Sequence, residues 1–226
     1  MQTQIKHKKI LYFLLAATVF IGCKCKREIT PDTICTDENT IKFPQDGVDR
    51  FFFKTGSYWV YKDSIDGLLD SVWVTEATEG RMDMRKKNYK TKGKCYEFKK
   101  IKVESNRNSQ YHINFAEQTS PYGSTYEEEY FYIDILLPHS SLIYTRLRYK
   151  GENIDTAEVI ENNKLSLVDS IKVLDHTFTN VLRIENPQGG IEPNAIMYYS
   201  KYNGLVKYKE KKSGHVWELL RYNTIK

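Results

Sequence analysis

The sequence predicts an all-β domain: an antiparallel half-barrel or open barrel, or a sandwich, of about 11–12 strands. Three observations lead there. Short segments rich in strand formers recur at regular spacing from residue 51 onward. Turn dipeptides separate them, notably Asp66-Gly67, Asn203-Gly204 and Ser213-Gly214. Aromatic residues make up 13% of the chain, with 17 Tyr, and tyrosine suits a half-buried sheet.

The first element precedes that domain. Lys6, Lys8 and Lys9 lead into an apolar run from Ile10 to Ile21. The run is shorter than the roughly 20 residues a helix needs to cross a bilayer. A basic start, a short apolar centre and a small residue, Gly22, before the cut mark residues 1–22 as a signal peptide. Phe20-Ile21-Gly22-Cys23 resembles a bacterial lipobox, with Phe20 where Leu is usual. The resemblance implies lipidation of Cys23, by a diacylglyceryl group and an acyl chain such as palmitate, and anchoring in a lipid bilayer. Two or more chains hold firmly, at about 0.8 kcal/mol per buried methylene. An ordinary cleaved signal and an uncleaved N-terminal anchor are the competing readings. Lys24 stands where Asp retains lipoproteins at the inner membrane, so by the same resemblance it points to the outer membrane, facing the periplasm or the outside.

Residues 23–40 read as a tether. Lys24 to Thr40 is polar, holds Pro31 and four acids, and as flexible coil spans roughly 20–25 Å. Residues 41–226 form a single all-β domain. The whole chain has 34 basic and 29 acidic side chains. Removing residues 1–22 takes three lysines and no acid, leaving 31 against 29. A net charge of +2 argues against nucleic acid as a partner, which needs a concentrated basic face.

With Cys23 lipidated, Cys25, Cys35 and Cys95 remain. An exported chain meets an oxidising compartment, and three thiols allow one disulfide. Cys35–Cys95, which staples the tether to the first core strands, is the favoured pair, and Cys25–Cys35 the rival. No Cys-x-x-Cys pair occurs and no histidine is close in sequence, so no metal site is expected.

The strands follow in order. Phe51-Phe52-Phe53 opens the pattern, then Ser57 to Asp63 and Leu69 to Glu76, joined through Asp66-Gly67. Lys94 to Glu104 shifts apolar phase between Phe98 and Ile101, which predicts a bulge near Lys99 and Lys100. Tyr111 to Glu117 alternates, followed by Tyr126 to Leu137 and Leu142 to Tyr149. Thr177 to Glu185 carries Phe178, Leu182 and Ile184 near one face, with Val181 out of phase. Ala195 to Tyr202, Gly204 to Lys211 and Val216 to Tyr222 close the chain. Short helices fit only Gly80 to Tyr89 and Asp155 to Asn162.

Candidate sites are few. His112, His139, His176 and His215 are isolated, without the pairing of a zinc hydrolase, and His112 and His215 fall on expected solvent faces. No nucleophile elbow or phosphate loop occurs. Asp63-Ser64-Ile65-Asp66-Gly67 resembles the start of a calcium loop but lacks the third acid and the closing Glu, which favours a hairpin turn. Glu127 and Glu129 share a strand face, within the run Glu127-Glu128-Glu129. They read as a solvated edge, or as a carboxylate pair for glycoside hydrolysis if a cleft separates them. The aromatics Tyr58, Trp59, Tyr61 and Trp73, then Tyr130, Phe131 and Tyr132, then Tyr198, Tyr199, Tyr202, Tyr208, Trp217 and Tyr222 could line a concave sheet that holds a lipid, a glycan or a peptide. Adjacent rings alternate faces, however, so ordinary core filling accounts for most of them.

Phe52 to Asp63 and Tyr198 to Leu219, the latter with Asn-Gly-Leu-Val-Lys-Tyr and Val-Trp-Glu-Leu, resemble the ends of uncharacterised bacterial lipoproteins. That resemblance implies a fold and no activity. By architecture alone the domain is also similar to half-barrel lipoprotein carriers that cradle acyl chains. The expectation is a non-enzymatic, membrane-anchored binding or structural module of the cell envelope, without a cofactor and with a lipid, glycan or protein ligand. A carrier or chaperone with an apolar cavity for acyl chains is the alternative, and a glycan-active enzyme using Glu127 and Glu129 the third.

Overall fold

The computed structural model describes residues 34–83, 95–106, 110–118, 130–136, 143–156, 164–185, 195–211 and 213–226. The signal segment, Cys23, Lys24, Cys25, His139 and Glu127 to Glu129 lie outside the described residues. The described residues form thirteen strands and one helix: β1 (Thr40–Ile41), α1 (Gln45–Phe51), β2 (Tyr58–Asp63), β3 (Leu69–Asp83), β4 (Cys95–Ser105), β5 (Gln110–Gln118) and β6 (Tyr130–Leu136). Then come β7 (Ile143–Lys150), β8 (Asn153–Ile154), β9 (Lys164–Val173), β10 (His176–Glu185), β11 (Ala195–Ser200), β12 (Gly204–Glu210) and β13 (Val216–Asn223). The all-β expectation holds, as one open sheet.

Twelve strands form one path, β8-β7-β6-β5-β4-β3-β2-β13-β12-β11-β10-β9, and β1 adds to β4 in parallel. Every neighbour on the path is antiparallel. Two meanders therefore meet at the β2–β13 ladder. The chain must pass from one edge, β8, to the other, β9, between Ile154 and Lys164. Those ten peptide steps reach at most about 35 Å. Laid flat, twelve strands would separate the edges by roughly 50 Å. The sheet therefore has to curl, and among the described residues no β8–β9 pairing closes it.

The concave side is filled by the chain itself. Phe51, Phe52 and Phe53 join Trp59, Tyr61, Val74, Ile101, Val103, Ile133, Leu147, Tyr149, Leu182, Ile184, Trp217 and Leu219 in one buried cluster. The Phe51-Phe52-Phe53 run does not open a strand, because Phe51 ends α1. This helix touches both arms. A Cβ on Gly47 would lie 2.9 Å from Ile133 on β6, and the Phe51 ring stands 4.7 Å from Tyr199 on β11. Its last carbonyls are capped from outside: Lys226 Nζ donates to Val48, Asp49 and Phe52 at 3.3, 2.7 and 3.0 Å. That ammonium also lies 3.5 Å from the centre of the Phe53 ring, and burial lowers it to about 8.

Two local expectations are corrected. Gly80 to Asp83 continue β3 as strand rather than starting a helix. The β3–β4 register shifts at Thr75 in β3, between Val74 and Glu76, and runs unbroken past Lys99 and Lys100. Phe98 breaks the apolar phase because it covers Gly80, whose added Cβ would sit 2.7 Å from the Phe98 ring. An aromatic ring shielding a cross-strand glycine is a known stabilising pair. In the β11–β12 hairpin the link is Lys201–Asn203, so Gly204 opens β12 instead of sitting in a two-residue turn. Its φ of +74° and the Phe53 ring 3.1 Å from a built Cβ demand glycine there.

Cys35 and Cys95 form a disulfide that bridges 60 residues. With the Thr40↔Cys95 and Ile41↔Tyr96 pairs it fixes the end of the expected tether to β4. Closing a loop of this size stabilises a fold by about 2–4 kcal/mol. The Cys35→Ser/Cys95→Ser variant should lose that amount in urea unfolding, with a larger m-value because the denatured chain without the cross-link is more expanded.

Candidate functional site

The site is built outward from α1. Pro44 is the N-cap residue, Asp46 sits in the first turn and Arg50 in the last. An i,i+4 spacing puts both on one helix face. Arg50 is 1% exposed, so each of its N–H groups needs an acceptor. Nε donates to Asp46 Oδ2 at 2.9 Å and Nη2 to Asp46 Oδ1 at 3.2 Å. Nη2 also donates to Asn180 Oδ1 at 2.7 Å. Nη1 donates to the carbonyls of Asn180 and Tyr199 at 2.6 and 3.1 Å. All five guanidinium donors are thus satisfied.

Asp46 also accepts from Lys201 Nζ at 2.9 Å and from the Tyr149 hydroxyl at 3.1 Å. Burial works to raise the Asp46 carboxyl, but Arg50 and Lys201 outweigh it and hold it below the usual range. Burial, aided by the Asp46 charge, pushes the Tyr149 phenol well above 10. The network runs from β7 through α1 to the β10–β11 side.

At that side the sheet splays. Ser200 ends β11 opposite Val181, while β10 continues back to His176 against β9 alone. Asn180, where the strands part, has φ of 51°, and Tyr202 in the β11–β12 link has φ of 64°. Such non-glycine residues cost on the order of 1 kcal/mol or more and persist only when their surroundings enforce them. α1 enforces both: Arg50 grips Asn180, and the Asp49 carbonyl accepts the Tyr202 N–H at 2.9 Å.

The splay opens a groove of about 430 Å³, lined among others by His176, Phe178, Asn180, Tyr202, Asn203 and Tyr222. Tyr202 and Tyr222 are 57% and 39% exposed. Among the described residues the interior cavity bordered by Arg50, Phe51, Trp59, Tyr61 and Tyr199 holds, by contrast, about 10 Å³, room for roughly one water. Of the aromatics named from sequence, Trp59, Tyr61 and Trp217 fill the core, while Tyr202 and Tyr222 meet at the groove.

A second cluster lies in the hairpins at the far ends of β2 and β13. Asp63, Asp66 and His215 bring potential metal-ligand atoms within 4.8 Å of one another. The buried Asp63 carboxylate is already engaged, by His215 Nδ1 and the Ile65 N–H. His215 is therefore half-buried, not a free surface residue, and stacks toward Trp217. Burial works to raise Asp63, but the His215 bond outweighs it and lowers the carboxyl. The Asp63 bond in turn raises His215. This pair pins the two hairpins together. His112 lies on β5, with its side chain outside the described ones.

No protein-family model, no curated protein and no solved structure matches this chain.

Two outcomes follow from these geometries. Arg50→Met should cost about 3–5 kcal/mol, since it leaves Asn180 Oδ1 and the Asn180 and Tyr199 carbonyls without their donor and takes from the part-buried Asp46 one of its two cations; Asp46→Leu/Arg50→Met should recover part of that loss in chemical denaturation. The His215–Asp63 pair adds stability below the ordinary histidine pKa of 6.5 and loses it as pH rises through the raised value. It also weakens as pH falls through the lowered Asp63 value, below 3.8. The stability gap between wild type and His215→Gln should accordingly peak between about pH 4 and 6.5 and shrink in alkali.

Proposed function

We propose that the chain is a lipid-anchored envelope protein, held in the outer membrane through acylated Cys23, whose β domain is a non-enzymatic binding module. The observation that carries the binding role is the contrast between a filled interior and an open groove. An acyl carrier needs an apolar cavity of several hundred cubic ångströms, and here α1 and the three phenylalanines occupy that place. The groove has a volume in the range of small-ligand clefts. The Cys35–Cys95 disulfide supports export, because such bonds persist in oxidising compartments. Attachment is assigned to Cys23 on the lipobox resemblance of Phe20-Ile21-Gly22-Cys23; among the described residues no helix is long and apolar enough to cross a membrane.

Palmitate labelling of cells that express the full chain should mark the protein, and Cys23→Ser should abolish the label and shift the protein out of the membrane fraction. A soluble, unlabelled wild type overturns the anchor. Native mass spectrometry of residues 33–226 purified from the periplasm should give the bare polypeptide mass. A co-purifying acyl lipid would instead make the domain a carrier.

A further inference from the structure

We propose that the groove between the start of β10, the β11–β12 link and the end of β13 binds a short, neutral stretch of saccharide. The assignment builds on the groove being the ligand site and adds the chemistry of its occupant.

Charge is the first constraint. Among the described residues no carboxylate lines the groove, and of its two basic groups, His176 and Lys201, the lysine is already paired with Asp46. A cationic ligand would find no countercharge there and a multiply charged anion little, and burying an unpaired charge is costly. Lining chemistry is the second. Thr177, Thr179, Asn180, Ser200, Asn203 and two tyrosines present hydroxyls and amides, which suit a polyhydroxylated ligand better than an acyl chain.

One amide is pre-set as a donor. Asn180 Oδ1 is taken by Arg50, which leaves Nδ2 with no partner among the described residues. Asn203 also lines the groove, its Oδ1 one of three acceptors at 3.4–3.5 Å around the single Ser200 hydroxyl. A fixed N–H donor beside two exposed tyrosine rings matches the oxygens and the C–H faces of a sugar.

A peptide strand fits less well. It would add to the unpaired edge of β10, but Asn180 at φ 51° ends the extended run there. Only His176 to Thr179 remain, a short edge for strand addition.

The test titrates residues 33–226, the compact unit that holds the whole core, with chitotriose, cellotriose and maltotriose, followed by NMR. At least one should bind and shift the resonances of Asn180 and Asn203. Tyr202→Gly, which accepts the positive φ without strain, should weaken that binding about tenfold while the thermal midpoint is retained. Tyr222→Ala should act likewise, and Ile65→Ala, in the distant β2–β3 turn, should leave binding unchanged. Phosphatidylethanolamine–phosphatidylglycerol vesicles and a random phage-displayed peptide library serve as the other arms. Binding there that depends on Tyr202, with none to the sugars, overturns the saccharide assignment and keeps the groove. No binding in any arm that depends on Tyr202 or Tyr222 overturns both.

Discussion

The buried guanidinium of Arg50 is the interaction on which the rest of this fold depends. A charge taken out of water is tolerated only when its donors are all met and a counter-ion is at hand. Arg50 finds the counter-ion one helical turn back, in Asp46, and its remaining acceptors on the far arm, in Asn180 and Tyr199. Asp46 reaches the near arm through Tyr149. An open sheet has no ladder to hold its two edges at a fixed separation. Here a seven-residue helix does so, and it can because both ends of its ion pair are anchored on different strands. The gap where β10 parts from β11 is therefore defined by the same contacts that complete the core.

Much of the sheet was legible in the sequence because its signals are local. Alternating apolar residues and Gly at turns set most strands, and Gly67, Gly204 and Gly214 all take the positive φ that their dipeptides advertise. Export context limited the cysteine choice, and Cys35–Cys95 is the bond present. α1 is not legible because Phe51-Phe52-Phe53 has strand propensity and the seven-residue helix makes fewer than two turns in all. Its signal was nonetheless there: Pro44, then Asp46 and Arg50 at helical spacing. The misplaced bulge has a different cause. The apolar phase shift between Phe98 and Ile101 arises because Phe98 packs over Gly80 on the neighbouring strand, and a cross-strand glycine cannot be paired with its ring from one segment alone.

The groove was less legible. Its tyrosines were visible as aromatic residues, but their partition was not. Trp59 and Tyr61 share the inner face of β2 and disappear into the core, while Tyr222, opposite Trp59 on β13, lies partly exposed at the strand end. Asparagine tolerates the left-handed region, but no local signal marks Asn180 for it, and tyrosine has no such preference at 202. Both conformations are imposed by α1, some 130 to 150 residues away in sequence, so they belong to tertiary structure alone. The same holds for Asp63 and His215, which look like a turn acid and a surface histidine until β2 and β13 pair.

Occupation of the interior bears on whether the domain could ever open to take in a ligand. Three separate ties hold α1 and its approach in place. The Cys35–Cys95 bond and β1 fix the chain upstream to β4. The Asp46–Arg50 network binds the helix to both arms. Lys226, threaded over the Phe53 ring, holds its last carbonyls. Emptying the interior would require the last two to break together and would expose Phe51, Phe52 and Phe53 to water, at roughly 2 kcal/mol for each ring. A lid evolved to open is drawn from the weakly held parts of a fold, and α1 is the reverse. Its two strained clients, Asn180 and Tyr202, sit on the outer end of the sheet, where ligand contact needs no part of the core to move.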